Sequence, residues 1–282
     1  MEPVVAKQTH RTLEMIHGLV YFAPEATEAY AALGVTGRSG YFASRSAAMG
    51  PVSAEVVIAT FFNFNPTLVR RAMDGVWDIA SPDAILAARL AAAGAAIRNA
   101  AGDALPSTAE IAEAASLARV AAVEACDHLS GKPLFAGHAA LPWPEGDPLL
   151  ELWHAQTLLR EFRGDIHIAA MTTIGIDGCE ALVCHAASGD IGRAALQSSR
   201  AWPDDAWDAA VESLRAKGHV NADGSFTDEG RASRQWVEDR TDAGALVAYE
   251  PLGDDACERL RFLCRPISKA IVAAGPLTLP TN

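Results

Sequence analysis

The sequence predicts a mainly α-helical protein built from two related modules, each a set of helices closed by a short two-stranded wing. Three observations predict it. Helical period and abundant alanine run through most of the 282 residues. Between Asp204 and Asp242, a helix, a glycine, two short extended stretches around an Asp-Gly turn and another helix follow in order. The first half carries a faint echo of the second: without gaps, Gly50, Glu55 and Trp77 align with Gly175, Glu180 and Trp202.

The elements follow from local signals. Thr9 to Tyr30 reads as one or two helices. Ser53 caps a strongly apolar helix, SAEVVIATFF, which Asn65-Pro66 breaks before Thr67 to Met73 resumes it. Pro82 to Ala93 and Thr108 to His128 are further helices. Residues 137–148, GHAALPWPEGDP, hold three prolines among turn residues and read as a linker. The modules are therefore expected over 1–136 and 149–282. Leu149 to Arg163 is helical, with Gly164-Asp165 expected as a break and a new N-cap. Asp177 and Glu180 form a capping box that opens the next helix. Asp204 to Lys217 is helical and Gly218 ends it. HVNADGSFT reads as strand, turn and strand, and Asp228 starts a long helix through Asp242. Leu90 and Gly94 echo Leu214 and Gly218 with one residue of slippage. The expected architecture is thus tandem winged-helix-like modules in a pseudo-dimeric arrangement, with a cleft between the halves where small-molecule sites often form.

Composition narrows the function classes. Half the residues are hydrophobic, enough for a sizeable core. No apolar run of 18 residues lacks charge, so no membrane span is expected. The start, MEPVVAKQTHR, lacks the apolar centre of a signal peptide, and a cytoplasmic location is expected. The five cysteines (126, 179, 184, 257 and 264) show no CxxC spacing, which argues against a structural zinc cluster. A net charge of −12 weakens attraction to nucleic acid. P-loop, GxGxxG and GxSxG motifs are absent.

The segment WHAQTLLREFRGDIH (153–167) holds the most chemistry. His154, Arg160, Glu161, Arg163, Asp165 and His167 interrupt core-like sequence. Buried charges must be paired or bound, so the segment is either an internal ion-pair network or a polar site. Glu14-x-x-His17 has a metal-ligand spacing seen in helix bundles, with Tyr21 one turn further on. Glu14, His17, His154 and His167 are the candidate ligands for a metal ion, and either His154 or His167 could hold a haem iron. His154, Glu161 and His167 are the candidate catalytic groups. Tyr21, Arg45, Asn63 and Arg163 are the candidate substrate contacts, the arginines as bidentate anchors for an anion. The plainer alternatives are a salt bridge from Arg45 to Glu25 or Glu55, and backbone capping by Asn63 and Asn65 at Pro66.

Five stretches carry a family resemblance: YFAPEA (21–26), YFASRSAAMG (41–50), FNFNP (62–66), LWHAQTLLREFRGDIH (152–167) and the final wing. Through them the chain resembles the actinobacterial SalK-like helix-turn-helix family over nearly its whole length. The wing itself is similar to that of MarR-type regulators at Leu214, Gly218, Val220, Asp223-Gly224, Phe226-Thr227 and Glu229-Gly230. The resemblance implies a helical protein with winged-helix-like parts and implies no activity. The family commonly carries a histidine after the Arg-Glu pair. Phe162 stands there in this chain, so any ligand role of that position is absent.

A MarR-like module would put the helix before the wing into the major groove. Here that helix offers Asp204, Asp205, Asp208 and Glu212 against only Arg215 and Lys217, and the wing NADGS has no cation. The leading expectation is therefore a small-molecule-pocket enzyme of specialised metabolism, metal- or haem-assisted. The alternatives are a ligand-sensing regulator of MarR type or a non-catalytic ligand-binding protein. A small molecule is the expected partner; nucleic acid and membrane are not.

Overall fold

The structure, a computed structural model, describes residues 1–189 and 191–275. Among the described residues it contains fifteen α-helices and no β-strand. The first eight are α1 (Pro3–Gly18), α2 (Pro24–Ala32), α3 (Gly37–Ser46), α4 (Ala54–Phe61), α5 (Pro66–Met73), α6 (Val76–Ile79), α7 (Pro82–Ala101) and α8 (Thr108–Cys126). The rest are α9 (Pro133–Ala139), α10 (Pro148–Thr173), α11 (Gly178–Ala187), α12 (Arg193–Arg200), α13 (Asp204–Ala216), α14 (Asp228–Leu246) and α15 (Gly253–Ala273).

Their starts are written in the sequence. Proline opens α1, α2, α5, α7 and α9, where its missing N–H costs no helical hydrogen bond. Ser107 with Glu110, and Asp177 with Glu180, form complete capping boxes at α8 and α11. At FNFNP the chain reverses, and Asn65 Oδ1 accepts from the Thr67 amide at 2.8 Å.

The helices form two compact units that interleave along the chain. The first holds 1–52, 75–165 and Asp242 to the end of the described chain; the second holds 53–74 and 166–241. In the first unit α1 packs on α15, α2 on α7, and α8 on α15. Alanine lines these contacts, including Ala114, Ala118, Ala121 and Ala125 of α8, so the helices approach closely. Arg261 of α15 reaches Thr9 Oγ1 at 3.0 Å and the Val5 carbonyl at 3.3 Å, which ties down α1. Pro82–Ala104 is long and apolar enough by length and composition to cross a membrane. It nevertheless carries Arg89 and Arg98, and α7 packs on α2, α3 and α15.

The second unit has its own core of Ile176, Cys179, Leu182, Val183, Leu196, Trp207, Leu214, Val220 and Phe226. Helices α12 and α13 meet at a short turn where Ala201 adopts φ 57°, giving a helix-turn-helix pair. Lys217 and Ser213 of this region both reach Glu180 at 2.7 Å, which locks α11 to α13. The α4–α5 bend is held by Asn65 N–H to the Arg200 carbonyl at 3.0 Å and Trp202 Nε1–H to the Asn63 carbonyl at 2.9 Å.

Two expectations are corrected here. The tandem winged-helix plan fails because no two-stranded wing exists among the described residues. Val220 and Phe226 form one isolated antiparallel bridge, with Asn221 N–H bonded to the Ser225 carbonyl at 2.8 Å. The Asp223–Ser225 turn uses up the intervening residues. Thr227 is then recruited to cap α14, accepting from the Gly230 amide at 2.9 Å, so no length remains for a second pair. The corresponding stretch of the first half, 95–103, lies in the end of α7 and the 3₁₀ turn after it, not in strands. The break at Gly164-Asp165 is also absent. Helix α10 runs through it, because glycine weakens a helix by only about 1 kcal/mol and flanking packing overrides that.

Gly178 sits where a Cβ would overlap the backbone carbonyl of Phe62. Gly178→Ala is therefore expected to destabilise the protein by about 1–3 kcal/mol, the cost of overpacking against backbone. Urea unfolding measures this. An unchanged midpoint would show that the α4–α5 bend is not seated on α11.

Candidate functional site

The interior of the first unit holds a polar cluster at the middle of α10. His154, Thr157 and Glu161 lie three and four residues apart, which puts them on one helical face. His17 comes from α1, Tyr21 from the turn after it, Tyr41 and Arg45 from α3, Arg89 from α7 and His138 from α9. His17, Arg45, Arg89, His138, His154 and Glu161 are all buried.

A chain of hydrogen bonds orders the cluster. Thr157 Oγ1–H donates to the Trp153 carbonyl at 2.9 Å, which leaves its oxygen to accept from His17 Nδ1–H at 3.0 Å. That fixes the imidazole tautomer, and His17 Nε2 accepts from the Tyr21 hydroxyl at 2.6 Å. Arg89 donates to the Tyr21 oxygen at 3.4 Å, and Glu161 lies 3.5 Å from it. Trp153 stacks on His17 with 5.9 Å between ring centres. Burial pushes the pKa of His17 down and that of Tyr21 up, so the pair rests as neutral imidazole and neutral phenol. The shared proton lies on the phenol.

Three guanidinium groups surround the Tyr21 ring: Arg45 at 4.9 Å, Arg160 at 5.8 Å and Arg89 at 5.9 Å from its centre. Arg160 binds both oxygens of Glu161, at 2.9 and 2.8 Å, and lies 3.5 Å from Glu14. Arg45 donates to the Tyr41 hydroxyl at 2.7 Å. Burial alone would raise the pKa of Glu161, but Arg160 and Arg45 outweigh it and hold the carboxylate below its usual range. Arg89 is 2% exposed and stacks over Trp153 at 5.0 Å, and no carboxylate of the described residues lies within ion-pair distance of it. Its Nε, His138 Nε2, His154 Nε2 and both amide atoms of Gln156 are buried without a hydrogen-bond partner among the described residues. Such orphaned groups are costly unless a further molecule meets them. A hollow of about 20 Å³ runs between α2 and α3, from exposed Thr27 inward to Tyr21 and Tyr41.

The residues expected from sequence divide between the two units. Glu14, His17, Tyr21, Arg45 and Glu161 meet in the cluster. His154 lies on the same face of α10 and packs edge-on against Trp143 at 4.8 Å. Arg163 does not precede a helix start; it points elsewhere in the unit and pairs with Asp242 at 2.6 Å. His167 and Asn63 belong to the second unit, where both line a separate cavity. The expected salt bridges of Arg45 are replaced: Glu55 pairs with Arg70 at 2.7 Å, and Glu25 accepts from Asn99 at 2.7 Å. Among the described residues no three His, Cys, Asp or Glu side chains come together as a metal site. Both nitrogens of His17 are already engaged. Sequence reasoning missed Arg89 and His138. Arg89 had a signal, as the lone charge in AILAARLAAAG, the same kind of interruption that marks Arg45. His138 had none, since nothing in GHAALP separates a buried histidine from an exposed one.

The buried histidines make stability depend on pH. Burial, aided by Arg89, pushes His138 down to about 3 and His154 to about 4. The unfolded chain therefore binds protons that the folded chain refuses. This stability is complete above pH ~6.5 and is lost as pH falls toward 4. Asp165, pushed up by burial to about 6, and Glu14, raised by burial, work in the opposite direction, but four histidines, His10, His17, His138 and His154, are lowered. The melting temperature is expected to drop between pH 7 and 4.5, and His138→Gln should flatten that drop. A profile unchanged by His138→Gln would contradict the assignment.

Comparison with known proteins agrees with the helical plan. The chain matches a family model described as a helix-turn-helix family over residues 6–278, and it belongs to that family. No curated protein and no solved structure matches it.

Proposed function

We propose that this helix-turn-helix protein binds a small carboxylate at the Arg89–Tyr21 cluster, and that Tyr21, with His17 behind it, serves as the acid–base group of a pocket enzyme. The buried guanidinium of Arg89 carries this reading. An arginine that is 2% exposed and has no carboxylate in reach is a standing demand for an anion. Its planar fork suits a carboxylate. The hollow between α2 and α3 leads inward to Tyr21 and has room for about one water, so a carboxylate would enter by displacing the side chains between it and Arg89. A carboxylate there would be held by charge-assisted hydrogen bonds. The guanidinium groups around the ring would stabilise a phenolate formed when Tyr21 gives its proton to a basic atom elsewhere on the bound molecule.

Benzoate and its uncharged counterpart benzamide test this by calorimetry. Benzoate should bind at least tenfold more tightly, since a charge-assisted hydrogen bond contributes about 1.5–3 kcal/mol. Arg89→Leu should abolish the preference, and Tyr21→Phe, which keeps the ring, should weaken benzoate several-fold. Equal binding of both compounds, or a benzoate preference that survives Arg89→Leu, would refute the proposal.

A regulator reading draws on the helix-turn-helix family itself. The α13 surface speaks against it. Asp204, Asp208 and Glu212 are largely exposed, and the nearby cations Arg193 and Arg215 are engaged with them at about 3 Å. We expect no sequence-selective duplex binding at physiological salt. A gel shift with submicromolar, selective binding to DNA near its own gene would reverse this.

A further inference from the structure

The second unit contains a cavity of about 290 Å³ that shares no residue with the Arg89 cluster. Met171, Ile174, Ile176, Leu182 and Phe226 give it a large apolar lining. One wall is of another kind. Gly230, Ser233, Arg234, Val237 and Glu238 recur at helical spacing, so a single face of α14 forms it. On that face Arg234 and Glu238 stand one helical turn, about 6 Å, apart. Both are half-buried, whereas their neighbours Gln235, Trp236 and Asp239 are exposed. Burial pushes the thiol of Cys184, a lining residue of α11, up to about 11, and the charge of Arg234 opposes that push. The guanidinium is therefore felt on the cavity side of α14. Other lining groups are fixed by the fold. Trp202 Nε1–H holds the Asn63 carbonyl at 2.9 Å. His167 Nδ1–H donates to Thr241 Oγ1 at 3.0 Å, since that hydroxyl already donates to the Val237 carbonyl.

We infer that this cavity binds a zwitterionic α-amino acid with a bulky apolar side chain, its carboxylate on Arg234 and its ammonium on Glu238. The lining charges select the head group. A lone anion would meet Arg234 but face the like charge of Glu238, and a lone cation would meet the reverse. An uncharged guest would strip water from both charges and return nothing to either. A head group with both signs on adjacent atoms satisfies the two together, and the site stays neutral overall. Size and lining select the side chain. An apolar cavity of roughly 150 Å³ takes up benzene, so this one has room for an aromatic ring and about as much again for the head group.

The test is a titration of the full chain carrying ¹³C-methyl methionine. Met171 is the one methionine of the five that lines the cavity, and its signal is assigned by its loss in Met171→Leu. Its shift reports this site and not the Arg89 cluster. L-phenylalanine should move it saturably, and at least tenfold more tightly than 3-phenylpropanoate, which lacks the ammonium, or phenethylamine, which lacks the carboxylate. Glycine, which lacks the side chain, should leave it unmoved. Arg234→Leu should reduce L-phenylalanine to the affinity of phenethylamine, and Glu238→Gln to that of 3-phenylpropanoate. Should Arg234→Leu fail to fold, the isosteric Glu238→Gln carries the test alone. No saturable shift with L-phenylalanine overturns the inference. So does any of the three analogues binding as tightly, or an advantage over 3-phenylpropanoate that survives Glu238→Gln.

Discussion

The arrangement of the first unit turns on the bonds from Thr157 through His17 to Tyr21. Thr157 satisfies its own helix and thereby offers His17 only an acceptor. The imidazole then has one orientation and one tautomer, and its other nitrogen captures the Tyr21 hydroxyl. The Tyr21 ring, so held, is the surface over which Arg45, Arg89 and Arg160 lie. Four helices, α1, α3, α7 and α10, are therefore linked by polar groups in an interior that alanine and leucine would otherwise fill without direction. Apolar packing brings such helices together; a buried polar chain of this kind tolerates only one register of them.

Much of the helical order was legible in the sequence, because it rests on local chemistry. Pro66, Pro82, Ser107 with Glu110, and Asp177 with Glu180 each act within one turn of their own positions. What failed depended on competition between local and distant terms. Gly164-Asp165 has the form of a break, yet packing on both sides carries α10 through it. HVNADGSFT has the alternation of a hairpin, but Thr227 is claimed by α14 and only one bridge survives. The charged segment of α10 was recognisable as a place where something must be matched. Which partner meets which charge was not, since Arg89 and His138 lie far from it in sequence, and Arg163 turns away to Asp242.

The two units hold different chemistry on one helix-turn-helix chain. The first concentrates cations and a proton-sharing Tyr–His pair in a nearly filled interior. The second keeps a separate cavity lined from the end of α10, α11, the Val220–Phe226 turn and α14, with exposed acidic side chains on α13. A helix pair of this type is a packing solution before it is a DNA-binding device. In this chain the polar side chains that demand partners lie in the interior of the units, and Asp204, Asp208 and Glu212 of α13 are paired with nearby cations.

The central claim is that Arg89 receives an anion from outside the chain. The most direct measurement is the Arg89 Nε–H resonance in a ¹⁵N-labelled protein, assigned by its loss in Arg89→Leu and followed as benzoate is added. The account predicts a saturable shift of this signal, with slowed hydrogen exchange once the anion is bound. A signal that stays still, and is already protected from exchange in anion-free buffer, would mean that the protein itself satisfies Arg89, and the account would be wrong.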